Sequence, residues 1–342
     1  MEPKVILKEN LSSWLEALVS NYEVIAPVTE DGVLVFRPVL KLSEMTIEGT
    51  SGPAKSLREH FTPQTETLFH YKLYDQSADV APPELEIRDR VIFGARACDA
   101  AALLYVDAVY SNVEPIDVQY FERRKHTHII GLFCDKPAWS CFCTEVGDFL
   151  EKPAGMDVYL TDLGDRYYVE PLTQKGEELV ALAKTQPANE NDLSLVNETR
   201  RKALERLPKR ANHEESCIAY DWDHPVFVEL AKKCLSCGVC AFTCPTCHCF
   251  DIEECPRGSK GSRYRCWDTC QFEKFTLTGA GHNPRETRKE RTRQRIFHKF
   301  KYSKERYGML GCVGCGRCIA NCPVNIDIRD VIKELEKTAV ET

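Results

Sequence analysis

Residues 234–245 read CLSCGVCAFTCP and residues 312–323 read CVGCGRCIANCP. Cys234, Cys237, Cys240 and Cys244 precede Pro245 in the same spacing by which Cys312, Cys315, Cys318 and Cys322 precede Pro323. This CxxCxxCxxxCP run is the two-cluster ferredoxin pattern, in which the fourth cysteine of each run ligates the cluster built by the other. The first [4Fe-4S] cluster is therefore expected on Cys234, Cys237, Cys240 and Cys322, and the second on Cys312, Cys315, Cys318 and Cys244. Two residues between successive cysteines let a short loop wrap one corner of a cubane and present three thiolates to three irons. Gly238, Gly314 and Gly316 fall inside these loops, where a missing Cβ permits positive φ and lets backbone N–H groups approach sulfur. Those N–H groups help to set the potential. Pro245 and Pro323 bias the chain away from continuing the preceding turn. Structural zinc sites pair one CxxC with a distant second pair, which leaves the third cysteine and the CP ending without a reason.

The rest of the composition agrees with a globular protein. The chain has 342 residues, enough for two domains, with 43% hydrophobic and 28% charged residues. No apolar run approaches the roughly 18 residues of a membrane span. The opening stretch, MEPKVILKENLSSWLEALVSNYEV, reads as an amphipathic helix carrying acids, without an apolar signal core or a small-residue cleavage site. A cytoplasmic location is expected. Eighteen cysteines without an export signal point to metal ligation in a reducing compartment rather than to disulfides. A net charge of -7 gives no reason to expect nucleic acid or an anionic membrane as partner.

Residues 1–215 hold four cysteines and residues 216–342 hold fourteen, and that step suggests the domain boundary. The expected fold is an α/β N-terminal domain over 1–215, followed by an α+β two-[4Fe-4S] ferredoxin-like domain over 216–342 with a long insertion at 250–311. In the first part, residues 91–95 read as a strand, Asp99 as a helix N-cap and residues 100–110 as an amphipathic helix. Residues 128–133 read as a buried strand, and residues 157–171 as a hairpin turning at Leu163, Gly164 and Asp165. Residues 193–207, with Arg200, Arg201 and Lys202 on the outer side, read as a linking helix. Residues 327–339 close the chain as a helix.

The four early cysteines, Cys98, Cys134, Cys141 and Cys143, make one full ligand set. Cys98 lies where the strand VIFGA gives way to its helix, and Cys134 ends the strand HIIGLF. Both could stand at the carboxyl edge of one sheet, where open α/β sheets place their ligands. Cys98 would also lie beside a positive helix N-terminus, which suits an anionic cluster. Cys141-Phe142-Cys143 can complete a third [4Fe-4S] site. The plainer alternative makes Cys98 and Cys134 buried small hydrophobes and the CFC pair a reactive dithiol.

The insertion carries Cys247, Cys249, Cys255, Cys266 and Cys270, left over once both ferredoxin cages are filled. Cys247, Cys249 and Cys270 are the candidates for an additional metal site, the alternative being that they pack against the clusters. Arg288, Arg291 and Arg295 would share one helix face at i, i+3 and i+7. A solvated or charge-compensating face is commoner for such a stripe than nucleic-acid binding. His282 reads as a histidine hydrogen-bonded near a cluster, or as a ligand. Cys217 has no assigned role.

These stretches together resemble a known family: the iron-sulfur beta subunit of cytoplasmic sulfhydrogenases, with the related iron-sulfur chain of anaerobic sulfite reductase. The resemblance is carried by FGARACDAAALLYVDAVY, CDKPAWSCFC, LTDLGDRYYVE, CLSCGVCAFTCPTCHCFD, CWDTCQF, GAGHNPRETRKERTRQRIFHKFKY and CVGCGRCIANCPVNI. It implies a chain that relays electrons between a flavin subunit handling NAD(P)H and a separate catalytic redox subunit, within a hetero-oligomer. Cys98, Cys134, Cys141 and Cys143 fall inside the matching stretches. Cys217 and Cys255 lie outside these stretches, and Cys266, although it opens CWDTCQF, is not a feature of the family.

The leading expectation is thus a non-catalytic electron-transfer subunit. The alternative, a stand-alone iron-sulfur reductase with its own catalytic cluster, lacks any adjacent Cys-Cys pair. Gly279-Ala280-Gly281 has no preceding strand signal and no third glycine, so it is no dinucleotide fingerprint.

Overall fold

Residues 90–95 lie at the heart of an eight-stranded sheet, and both of the sheet's long borders are explained by what they pair with. The computed structural model describes residues 2–47, 52–112, 114–208, 213 and 221–339. Its strands are β1 (Lys4–Leu7), β2 (Glu23–Glu30), β3 (Val33–Pro38), β4 (Thr65–Leu73), β5 (Ala78–Ala81) and β6 (Arg90–Ala95). There follow β7 (Thr127–Leu132), β8 (Val158–Asp162), β9 (Arg166–Pro171), β10 (Gln186–Pro187), β11 (Phe250–Arg257) and β12 (Lys260–Trp267). The protein is a mixed α/β chain that divides into two compact units. The first comprises Met1–Leu57, Ile87–Glu214 and Cys312–Arg317, and the second Arg58–Glu86, Glu215–Gly311 and Cys318–Thr342. Cys217 lies outside the described residues.

In the first unit the sheet runs β10-β1-β9-β8-β7-β6-β2-β3. Strands β2, β6, β7 and β8 pair in parallel, and the outer strands are antiparallel. The parallel centre is apolar because both faces are covered. Leu11, Trp14, Leu15 and Leu18 of the helix Leu11–Asn21 bury one side against Val24, Val91, Phe93, Ile130 and Leu160. Trp14 meets Phe93 edge-on at 5.8 Å and donates Nε1–H to Leu179 O at 2.9 Å, so its one polar atom is satisfied in the core.

Two local expectations fail here. Residues 4–7, expected in the N-terminal helix, form β1, because Val5 and Ile6 are both buried and the segment pairs with β9 on one side and β10 on the other. Long-range pairing satisfies the backbone of this short β-branched run and overrides its helical spacing. Asp99 is not an N-cap: Arg96 holds that position, and Asp99 sits inside the first turn of the helix Ala97–Ser111. The strands expected at 91–95 and 128–133 appear as β6 and β7, and the hairpin of β8 and β9 turns through Gly164 at φ 102°. The helix expected over 193–207 begins earlier, at Glu190, because Asn189 and Asp192 form a reciprocal capping box. Arg200 does not point outward; it pairs with Glu170 and Thr161, whereas Arg201 is exposed.

In the second unit, β11, β12, β4 and β5 make an antiparallel four-stranded sheet in that order. Residues 65–81 thus pair with the insertion, a partnership between segments nearly two hundred positions apart in the chain. A buried ion pair joins them: Arg265 Nε donates to Glu66 Oε2 at 2.7 Å. Arg58 stacks its guanidinium 3.7 Å over the Trp267 ring. The helices Val226–Lys233 and Arg288–Phe297 pack through Phe227 and Phe297, and Ile328–Ala339 is the last helix, where the sequence places it. Among the described residues no helix is long and apolar enough to cross a membrane.

Candidate metal centres

The first half-motif starts where the helix Val226–Lys233 ends. Cys234 N–H closes that helix on Leu230 O at 3.0 Å, and the chain then turns back on itself at Ser236, φ 56°, and Gly238, φ 76°. The second half-motif repeats this at Gly314, φ 61°, and Gly316, φ 70°. Positive φ is expected at the three glycines; Ser236 adopts it without being glycine, at the position that corresponds to Gly314. The turns aim backbone N–H groups at sulfur: Ser236 N at Cys234 Sγ (3.4 Å), Gly314 N at Cys312 Sγ (3.5 Å) and Ile326 N at Cys322 Sγ (3.2 Å).

Cys234, Cys237, Cys240 and Cys322 line one cavity in the second unit, with Cys318 and Arg295 in its wall. Of the second expected set, Cys312 and Cys315 belong to the first unit and Cys318 and Cys244 to the second.

Of the expected basic stripe, Arg288 is exposed and Arg291 and Arg295 turn inward. Arg291, Arg293 and Arg295 are buried, as is Lys299 in the π-turn His298–Tyr302 that follows the helix. Arg291 donates to Arg285 O and Glu286 O, and Arg293 stacks on Trp222. Arg295 donates to Cys240 O at 2.8 Å, and Lys299 reaches Cys244 Sγ at 3.1 Å. Burial works to raise the Cys244 thiol, but Lys299 and Arg295 overcome it and hold Cys244 at about 7. The sequence pattern offers Arg295 from its helical spacing; Lys299, at i+4 from it, continues that spacing, a signal that reading only arginines passes over.

In the first unit, the carboxyl ends of β6 and β7 bring Cys98 and Cys134 to one edge. A bulge at Gly94, φ 78°, shifts the register beside β7 and re-aims the strand end. Arg96 then ties the edge together by donating to Leu132 O (3.3 Å) and Phe133 O (2.8 Å). Cys134 and Cys141 act electrostatically on Cys143, and Cys143 on Cys98, so the four thiols form one neighbourhood. Desolvation pushes all four up, Cys141 to about 11 and Cys143 to about 12. Bare thiolates are unfavourable in such a place, whereas a bound metal stabilises them directly.

The loop Cys312–Arg317 docks on this edge. Phe142 N–H donates to Gly314 O at 2.7 Å, and Cys141 Sγ lies 3.8 Å from Cys315 O. A Cβ on Gly314 would stand 2.5 Å from Cys143 Cα, and one on Gly316 would stand 2.3 Å from Ser140 O. These glycines thus serve close backbone approach as well as the turn. Arg317 forks onto Asp99, with N–H to oxygen distances of 2.7 and 2.9 Å, and donates Nε–H to Pro53 O at 2.9 Å. That pair explains why Asp99 is unavailable as a cap.

The insertion's thiols separate into two groups. Hydrogen bonding with Cys249 holds Cys247 and Cys270 down and pushes Cys249 up, and Gln271 Nε2 stands 3.5 Å from Cys270 Sγ. Cys255 is exposed on β11, and Cys266 lies on β12 opposite Asp251, away from that trio. His282 is exposed in a tight turn, where its carbonyl accepts from Thr278 N–H at 2.9 Å. The histidines beside the thiols are His248 and His298, edge to face at 5.2 Å.

The family model described as "4Fe-4S dicluster domain" matches residues 233–326. Subunit beta of sulfhydrogenase 2 from Pyrococcus furiosus is 34% identical over 253 residues, which are 72% of this chain and 74% of that protein. This chain belongs to the sulfhydrogenase beta-subunit family. No solved structure matches significantly. As a family member it is an iron-sulfur, electron-transfer type of chain.

The residues of this beta-subunit relative fit such a group. Four cysteines line one cavity, backbone N–H groups aim at sulfur, and buried cations offset the net negative charge of a thiolate-ligated cubane. Among the described residues, no three His, Cys, Asp or Glu side chains stand in the arrangement that a single ion requires. Ligands of one ion converge on a point, whereas the four thiolates of a cubane each meet a different iron and stay farther apart.

Proposed function

We propose that this chain is a non-catalytic relay with three [4Fe-4S] sites, in a cytoplasmic hetero-oligomer with a catalytic redox subunit plus a flavin-containing NAD(P)H-oxidoreductase subunit. The sites are Cys234, Cys237, Cys240 and Cys322; Cys312, Cys315, Cys318 and Cys244; and Cys98, Cys134, Cys141 and Cys143. A bound cubane would accept and donate one electron at a time. The chain's own residues hold the thiolates apart, exclude water and supply N–H groups and cations to sulfur.

The observation that carries the reading is the docking of the loop Cys312–Arg317 on the third cysteine set. Cys98 and Cys315 pack against the same patch of Ala101, Ala102 and Val313, and Cys141 Sγ lies 3.8 Å from Cys315 O. Tunnelling falls steeply with distance, and this shared wall makes the third set the immediate neighbour of Cys312 and Cys315. Electrons would therefore pass between the third site and the site that holds Cys312 and Cys315, in either direction.

Cys98→Ser tests the third site. The variant is expected to lose about one third of the iron of the anaerobically purified chain and one spectral component, while the other two remain. Iron content equal to wild type would remove the third site from the relay. An anaerobic pull-down tests the partners: recovery of a flavoprotein and a hydrogenase-, sulfite reductase- or heterodisulfide reductase-type subunit is expected, and a solitary protein contradicts the assembly.

A further inference from the structure

Lys299 is a lysine that the fold should penalise and instead builds around. It is 6% exposed, and an ammonium so placed is costly unless its donors are matched. Its Nζ donates to Cys244 Sγ at 3.1 Å, Thr246 Oγ1 at 2.9 Å and Gly311 O at 2.8 Å. Thr246 Oγ1 lies 3.2 Å from the same sulfur and donates its one proton to Gly311 O at 2.7 Å, so the ammonium is the donor to Cys244. Of the three acceptors, the sulfur alone carries charge when it ligates iron.

The backbone is shaped for this contact. Lys299 sits in the π-turn His298–Tyr302, a wide turn of a kind that often marks functional positions. Gly311 N–H donates to Lys299 O at 2.7 Å, and a Cβ on Gly311 would stand 2.6 Å from Ser303 Oγ and 3.2 Å from Lys299 Cα. Only a residue without a side chain seats its backbone against the π-turn closely enough to offer its carbonyl to Nζ.

We infer that Lys299 is a positioning residue that raises the potential of the cluster ligated by Cys244. The inference rests on the proposed role of Cys244 as a ligand. Reduction adds one negative charge to the cluster, and a fixed ammonium against one of its sulfurs stabilises the reduced form more than the oxidised form.

The test is an anaerobic redox titration of the full chain, followed by electron paramagnetic resonance with iron counting, on wild type, Lys299→Met, Lys299→Arg and Lys299→Gln. Lys299→Met keeps length and apolar bulk but removes the charge. At full iron content, one cluster is expected to move to a more negative midpoint while the others hold, and Lys299→Arg is expected to bring it back towards wild type. Should Lys299→Met lose iron, Lys299→Gln, which removes the charge but keeps an amide N–H for Gly311 O, is expected to move the same cluster in the same direction. Unchanged midpoints in whichever of these two variants retains its iron overturn the inference. Cys244→Ser separates the two failures: unchanged iron in that variant refutes the ligand assignment itself rather than the role of Lys299.

Discussion

Arg317→Met is expected to destabilise the protein by about 3–5 kcal/mol, the range for removing one partner of a buried ion pair. Asp99 is 1% exposed and receives both arms of the Arg317 fork, so the variant strands a carboxylate in the interior and leaves Pro53 O without its Nε–H donor. The loss should appear as a lower denaturation midpoint with an unchanged slope. Much of it belongs to the orphaned charge rather than to the pair. Adding Asp99→Leu to Arg317→Met should therefore recover most of the stability, because an apolar replacement of a whole buried pair is often neutral or better. A single variant within about 0.5 kcal/mol of wild type would contradict the structural account of this pair.

Cys237→Ala is expected to have an effect of comparable size for a different reason. Cys237 is exposed, so its truncation opens no core cavity and strands no buried polar group. Any large loss must come through a bound metal. Ligation and folding are coupled in loops that have little regular structure of their own, and the stretch 234–245 holds only the short helix Val239–Phe242. The variant should lose about one third of the iron and melt at a lower temperature in the second unit. Full iron with a wild-type melting profile would show that Cys237 ligates nothing.

What the sequence makes legible is whatever local spacing encodes. The two half-motifs announce their turns because φ > 0 is a demand on single residues, and Gly238, Gly314 and Gly316 meet it. Strands β6 and β7 are legible because a parallel strand covered on both faces is a continuous apolar run. The CFC pair and Cys98 are legible as a set because, with Cys134, they are all the cysteines of that part of the chain.

The features that escape are long-range. Nothing near Asp99 signals that Arg317, 218 positions away, takes its carboxylate. Residues 4–7 look helical by their neighbours and become a strand through partners near residues 166–187. Residues 65–81 pair with the insertion by a register that no local periodicity predicts. Lys299 lies one turn past an arginine stripe whose spacing is visible, yet its burial depends on a π-turn and on the bare backbone of Gly311.

The central claim is that this chain carries three cubanes in series, the third of them on Cys98, Cys134, Cys141 and Cys143. Its most direct test is quantitation of iron and acid-labile sulfide, with Mössbauer spectroscopy, on the full chain purified without exposure to oxygen. The account predicts about twelve irons per chain, four for each of three clusters, all in cubane-type environments. About eight irons, with no change in the Cys98→Ser variant, would contradict it.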